Sequence, residues 1–190
     1  MIEEVVGRLK ARRISAHQLH WRPGVILGGS GPEGGIVTDP HGKPPRGLIA
    51  SILKLGLLVA DWNVGYWGKI RHRQAKSKIA ISDRYFEDLL VDPIRYRYGA
   101  SKFLARWTFK LAPQPNLVFV LHADPEVIYA RKQEVTPEEL ERQILVYREM
   151  GKEGGDKVNL ISVNREVREI GEEILSVIEG WWTERRERLP

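Results

Sequence analysis

No cysteine occurs in the chain, which excludes disulfides, thiolate metal ligands and a cysteine nucleophile, and fits a reducing, cytoplasmic setting. Long apolar runs are missing as well. The longest, Leu48 to Leu58, is broken by Ser51, Lys54 and Gly56 and falls short of the ~20 apolar residues that span a bilayer. The opening MIEEVV lacks the basic-then-apolar order of a signal peptide, so a cytoplasmic protein with no membrane partner is expected. His17, His20, His41, His72 and His122 are scattered without HxxxH or HExxH spacing, which argues against a zinc site. No repeat, linker or low-complexity segment is found. A strong charge imbalance is missing too: 30 Lys and Arg against 25 Asp and Glu leave +5, a mild excess that suits an anionic ligand, a nucleic-acid surface or an ordinary solvated exterior.

What is present is enough for one globular domain over residues 1–190, with 42% apolar and 29% charged residues. Ile2 to Ala11 has apolar residues at helical spacing. Ile14 to Trp21 reads as extended and enters WRPGVILGGSGPEGG, a long loop by its Gly and Pro content. From Gly47 to about Arg73, Leu48, Ile52, Leu55, Leu58, Val59, Trp62 and Tyr66 recur as in one long helix. Lys78 to Ser82 is a short apolar strand, Ser101 to Leu111 a helix, and Leu117 to Leu121 a second buried strand. A helix from Asp124-Pro125 to about Lys132 follows. Thr136 and Glu139 form a capping box for a helix to about Met150; VNLISV is the last strand, and Glu166 to Trp182 the closing helix. Alternating strands and helices predict an α/β, doubly wound parallel sheet, with ligands bound beyond the carboxyl ends of its strands.

Chemistry is therefore sought just after each strand. Arg22, the pair Asp83-Arg84 and Asp124 stand there. A carboxylate followed at once by a guanidinium divides labour, the first holding magnesium or a hydroxyl and the second clamping a phosphate; a structural ion pair is the plainer reading of the same two residues. Tyr96 and Tyr98, interleaved with Arg95 and Arg97, combine base-stacking faces with phosphate clamps, or pack an ordinary loop. Trp62, Tyr66 and Trp67 sit at helical spacing, a pattern shared by core clusters and ligand platforms.

In sequence order, WRPG at Trp21 to Gly24, LLVADW, ISDRY and NLVFVLHADPEVIYARK resemble the thymidylate kinase family, matching its REPGG stretch, its helix ending in ADR, its DRY signature and its strand with an arginine-led lid. The similarity spans roughly Ile2 to Tyr147. It implies transfer of the terminal phosphoryl group of ATP to a nucleoside monophosphate or related small acceptor, with Mg2+, in a protein of a commonly dimeric family. By carry-over Asp83 serves the acceptor or metal, Arg84 and Arg22 the acceptor phosphate, and Arg131, helped by Lys132 and Arg142 of the lid, the charge developing in transfer. Trp62, Tyr66 and Tyr96 would line the acceptor site.

The chain departs from that pattern in three places. No GxxxxGK followed by Ser or Thr occurs: GGSGPEGG has no lysine, and Gly42-Lys43 runs into Pro44. That loop lies between the first strand and first helix of the family, and this chain opens in what resembles that helix. The expectation is a sheet lacking its first strand, with a misplaced start, a decayed copy or completion by another chain as explanations. Ala60-Asp61-Trp62 replaces the family's ADR, and EDLLVDPIRYRYG replaces the thymine-reading elements, which puts thymidylate itself in doubt. Two other readings stand beside the kinase: a catalytically silent nucleotide-binding or interaction module, and a nucleic-acid binder using the basic tail TERRERLP, for which no recognition motif is found.

Overall fold

The computed structural model describes residues 1–20, 23–27, 41–74, 78–131, 133 and 135–187. They fall into two compact units, Met1–Ser15 with Pro115–Pro190, and Ala16–Gln114. Each is described by itself.

The unit formed by Ala16–Gln114 is built on β1 (Ala16–His20) and β2 (Ile79–Asp83). These pair in parallel, with Ala16 opposite Ile79 and His20 opposite Asp83. The connection between them carries α2 (Leu48–Gly65), a single π-helical turn at Tyr66–Ile70, and α3 (Arg71–Gln74), so the one long helix expected from Gly47 to about Arg73 is a helix with a π-bulge. After β2 come α4 (Glu87–Val91) and α5 (Lys102–Phe109); the Ser101 hydroxyl caps α5 by accepting from the Phe103 amide at 3.2 Å. Leu55, Leu58, Trp62, Phe86, Leu89 and Phe109 form the centre of its core. The Trp62 ring meets Tyr85 edge-on at 4.4 Å, and Phe86 stacks on Phe109 at 4.4 Å, geometries that add to the burial of large rings.

The other unit contains α1 (Ile2–Ala11), β3 (Val118–His122), α6 (Pro125–Arg131), α7 (Pro137–Glu153), β4 (Val158–Ser162) and α8 (Val167–Glu187). Strands β3 and β4 are parallel, Val118 opposite Val158 and His122 opposite Ser162. The Thr136 hydroxyl accepts from the Glu139 amide at 3.4 Å at the start of α7, as the capping pattern predicts. Helix α1 packs along α8, with Val5 and Leu9 buried and Arg8 bonded to Glu172 at 3.0 Å.

The α/β class and the parallel pairing agree with expectation. The single doubly wound sheet does not appear among the described residues: the strands pair in twos, β1 with β2 and β3 with β4. Among the described residues one helical stretch, Leu48–Gln74, is long and apolar enough by length and composition to cross a membrane, and one third of its most apolar window is buried. Interruption by Ser51, Lys54 and Gly56 hides it from a search for unbroken runs.

Candidate functional site

Parallel strands open their carboxyl ends to ligands because the chain leaves each strand there into a loop. Asp83 is the last residue of β2, and Arg84 follows it with φ of 76°. A bulky residue in the left-handed region carries local strain, which persists only where the surroundings impose it. Those surroundings are visible: the Ser82 hydroxyl donates to the Arg84 carbonyl at 2.8 Å, Arg84 Nε lies 3.9 Å from the Asp88 carboxylate, and the guanidinium is hydrogen-bonded to the Tyr96 phenol. Arg84 remains exposed and Asp83 half-buried.

Tyr96 is held from both ends. Its phenol takes part in the Arg84 contact, and its carbonyl accepts from Lys54 Nζ at 2.5 Å. Burial, reinforced by the nearby Asp88 carboxylate, pushes its pKa up to about 12, so the phenol stays protonated near neutrality. The segment that carries it is shaped by buried Asp92, which accepts from the Arg95 amide at 3.0 Å and meets His41 Nε2 at 3.0 Å. Arg97 adopts φ of 52° and donates from Nε to the Pro44 carbonyl at 3.1 Å. The next contact requires glycine: a Cβ at Gly99 would stand 2.2 Å from the Arg46 carbonyl oxygen, while the Gly99 amide donates to Ser51 Oγ at 2.9 Å.

Asp61 is fully buried and accepts from the Gly24 amide at 2.9 Å and the Ile26 amide at 2.5 Å, with the Leu27 amide at 3.4 Å. One helical turn on, Gly65 leaves room for Pro23, whose Cβ would lie 2.1 Å from any Cβ placed there. Asp61 and Gly65 thus seat the loop Pro23–Leu27 on α2. Sequence reading took this aspartate only as part of a family match. A lone carboxylate in an apolar helix, one turn before a glycine, is the signal that would have found it.

Trp62, expected to line an acceptor, is a core residue, 5% exposed, and its ring is occupied by Tyr85 and Phe86. Tyr66 is half-buried and meets Trp67 edge-on at 5.5 Å. Arg22 and Lys132 lie outside the described residues, as does the side chain of Arg131, whose backbone ends α6.

In the other unit, Asp124 follows β3 by two residues and accepts from Asn164 Nδ2 at 3.0 Å. An open depression of about 560 Å³ is lined there by Asp124, Val127, Val163, Asn164, Arg165 and Glu166, at the carboxyl ends of β3 and β4. Arg142 is engaged in two bonds to Glu139, Nε at 2.7 Å and Nη2 at 2.6 Å.

Among solved structures, the chain is similar to a crystal structure of thymidylate kinase from Ehrlichia chaffeensis, with a TM-score of 0.55 and 14% identity over 93% of this chain and 87% of that one. No family model matches, and no curated protein matches. At this identity the likeness is one of fold: the chain has a nucleotide-kinase-like α/β fold.

Proposed function

We propose that the chain is a nucleotide-kinase-type protein whose Asp83-Arg84 cluster receives the phosphate of a nucleoside monophosphate or related phosphorylated small molecule. The observation that carries this reading is the placement of Arg84. An exposed guanidinium stands at the carboxyl end of a parallel strand, in a strained backbone conformation, steadied by Asp88 and Tyr96. A planar fork held this way suits bidentate phosphate recognition, and strain of this kind concentrates at ligand sites. Asp83 stands beside it for the acceptor or a metal. Tyr96 orients the clamp, Trp62 supports the wall behind it, and Tyr66 is the aromatic at its margin. Arg22, which precedes Pro23 in the sequence, is the proposed second phosphate cation. Arg131, Lys132 and Arg142 are proposed as lid cations, Arg142 after exchanging Glu139 for a ligand.

The fold implies phosphoryl transfer from ATP with Mg2+. The residues present do not complete such a site: Asp83 offers one carboxylate, and the sequence holds no GxxxxGK with Ser or Thr to grip the β- and γ-phosphates. That mismatch favours a second reading, a catalytically silent nucleotide-binding module.

Thermal denaturation with a panel of nucleoside monophosphates, the matching nucleosides and ATP–Mg2+ tests both. A monophosphate should raise the Tm, its nucleoside should not, and Arg84→Ala should abolish the shift. No stabilisation by any monophosphate would sink the reading. Phosphoryl transfer measured with the stabilising ligand separates kinase from silent binder.

A further inference from the structure

Arg46 has lost water without gaining a partner. Its Nη1 is buried and donates to nothing, and among the described residues it is the one buried side-chain nitrogen or oxygen left so. An unmade hydrogen bond inside a protein is costly, and more so for a charged donor. The backbone under this side chain is tightly fixed. Pro44 and Pro45 lead into it, each with its φ locked by the ring. The Arg46 amide donates to the Arg97 carbonyl at 3.0 Å, and the Arg46 carbonyl accepts from Ser51 Oγ at 3.2 Å. Gly99 presses against the same carbonyl, closely enough that any Cβ there would stand 2.2 Å from its oxygen.

Arg97 belongs to the same patch. Tyr96 and Tyr98 on either side of it are core residues, 8% and 4% exposed, while Arg97 stays half-exposed. Its φ of 52° lies in the left-handed region, and its Nε donates to the Pro44 carbonyl at 3.1 Å. Two bonds therefore join Arg97 to Pro44–Arg46, one from each side, and hold the two arginines on one platform. The terminal nitrogens of Arg97 carry no bond to a described residue.

No carboxylate of this unit answers them. Asp61 is taken by the Gly24 and Ile26 amides, Asp88 stands against Arg84, and Asp92 is shared by His41 and the Arg95 amide. The countercharge must come from a ligand. A guanidinium that has shed part of its hydration gains more from an anion than one fully in water. Two planar forks suit a group with several oxygens, and a phosphate, at about −1.5 to −2 near neutrality, balances two cations where a single carboxylate balances one.

We infer that Arg46 and Arg97 form a phosphate site that the Arg84 cluster does not include. It stands independently of that cluster, so the probe is inorganic phosphate titrated into the Arg84→Ala protein, with binding followed by phosphorus NMR line width. Saturable binding should persist there. Adding Arg46→Met should weaken it on the order of tenfold or more, and Arg97→Ala should weaken it too. Arg46→Lys, which keeps the charge and loses the fork, should fall between Arg46→Met and the parent. Without phosphate, Arg46→Met should melt at or above the parent temperature, because it keeps an apolar stem and removes the unpaired donor. Acetate at equal concentration should not displace the phosphate. Loss of phosphate binding with Arg84→Ala alone overturns the inference, since the anion then belongs to the Arg84 cluster. So does full binding by Arg46→Met or Arg46→Lys. An Arg46→Met protein that melts lower yet binds phosphate normally would make Arg46 structural, and displacement by acetate would overturn the assignment to phosphate.

Discussion

Helices α8 and α2 are of similar length and obey opposite rules. In α8, Ile170, Ile174, Leu175 and Ile178 face inward, while Arg168, Glu169, Glu172 and Glu179 stay exposed. Its acidic residues meet α1 across the surface, Glu172 with Arg8 and Glu179 with Arg12. Packing within the unit accounts for its inward row. In α2, Ser51 and Asp61 are inside and leucines are outside, and packing within the unit accounts only for the inner half. Both buried polar residues on α2 bond to loops, Ser51 to the Arg46 carbonyl and the Gly99 amide, Asp61 to amides of Pro23–Leu27. Helix α8 holds a unit together; α2 positions loops on one side and leaves an apolar row exposed on the other.

The largest effects should separate the two helices. Leu175→Ala removes a fully buried side chain and should cost about 3 kcal/mol, read as a lower urea midpoint. Leu53→Ala, the same chemical change on an outward position of α2, should shift stability by less than about 0.5 kcal/mol. Equal losses would show that the outward row of α2 is core. Next in size is Asp61→Ala. It leaves the Gly24 and Ile26 amides without their acceptor and should cost about 2 kcal/mol, with Asp61→Asn losing roughly half as much. Hydrogen exchange should quicken at Gly24 and Ile26 in both variants. Unchanged exchange there would break the assignment of Asp61 as the seat of that loop.

These contrasts also mark where the sequence was legible. Helix α1 is found where its spacing predicts, Ile2–Ala11, and the Thr136 cap and all four strands fall within a few residues of their expected positions. Such features depend on neighbours in the chain. The facing of α2 does not. Leu48 and Ile52, read as members of one apolar face with Leu55 and Leu58, are exposed, because apolar residues stand on both sides of this helix and their recurrence does not say which side is inward. The same ambiguity made Trp62 a candidate ligand wall, where it is core. At the candidate site, Asp83 and Arg84 were legible from a strand followed by a charged pair, whereas Asp88 and Tyr96, which steady the guanidinium, reach it through a fold that spacing alone does not describe.

Arg84 gives a smaller effect of opposite sign. Its φ of 76° is tolerated by glycine at no steric cost, so Arg84→Gly should keep the fold and stabilise it by up to about 1 kcal/mol, net of the lost Asp88 contact. The same variant should lose the Tm shift with nucleoside monophosphates. Gain of stability with loss of binding marks a strained functional residue; loss of both would make Arg84 structural, comparable to Leu175.

The smallest effect is a pH dependence at Glu87, in the first turn of α4. Burial, with some repulsion from Asp88, raises its carboxyl pKa above the ordinary value. The folded state therefore binds this proton more tightly than the unfolded state. That contribution to stability is full below the unfolded pKa and is lost as pH rises through the folded one. Glu87→Gln carries no charge at any pH, so its stability relative to the parent should rise from acid toward neutral pH and then level off, traced by urea midpoints across that range. A difference that stays flat would show that the Glu87 carboxylate keeps its hydration in the folded protein. In that case the buried side of this unit would be wetter than the inward-facing polar groups of α2 imply.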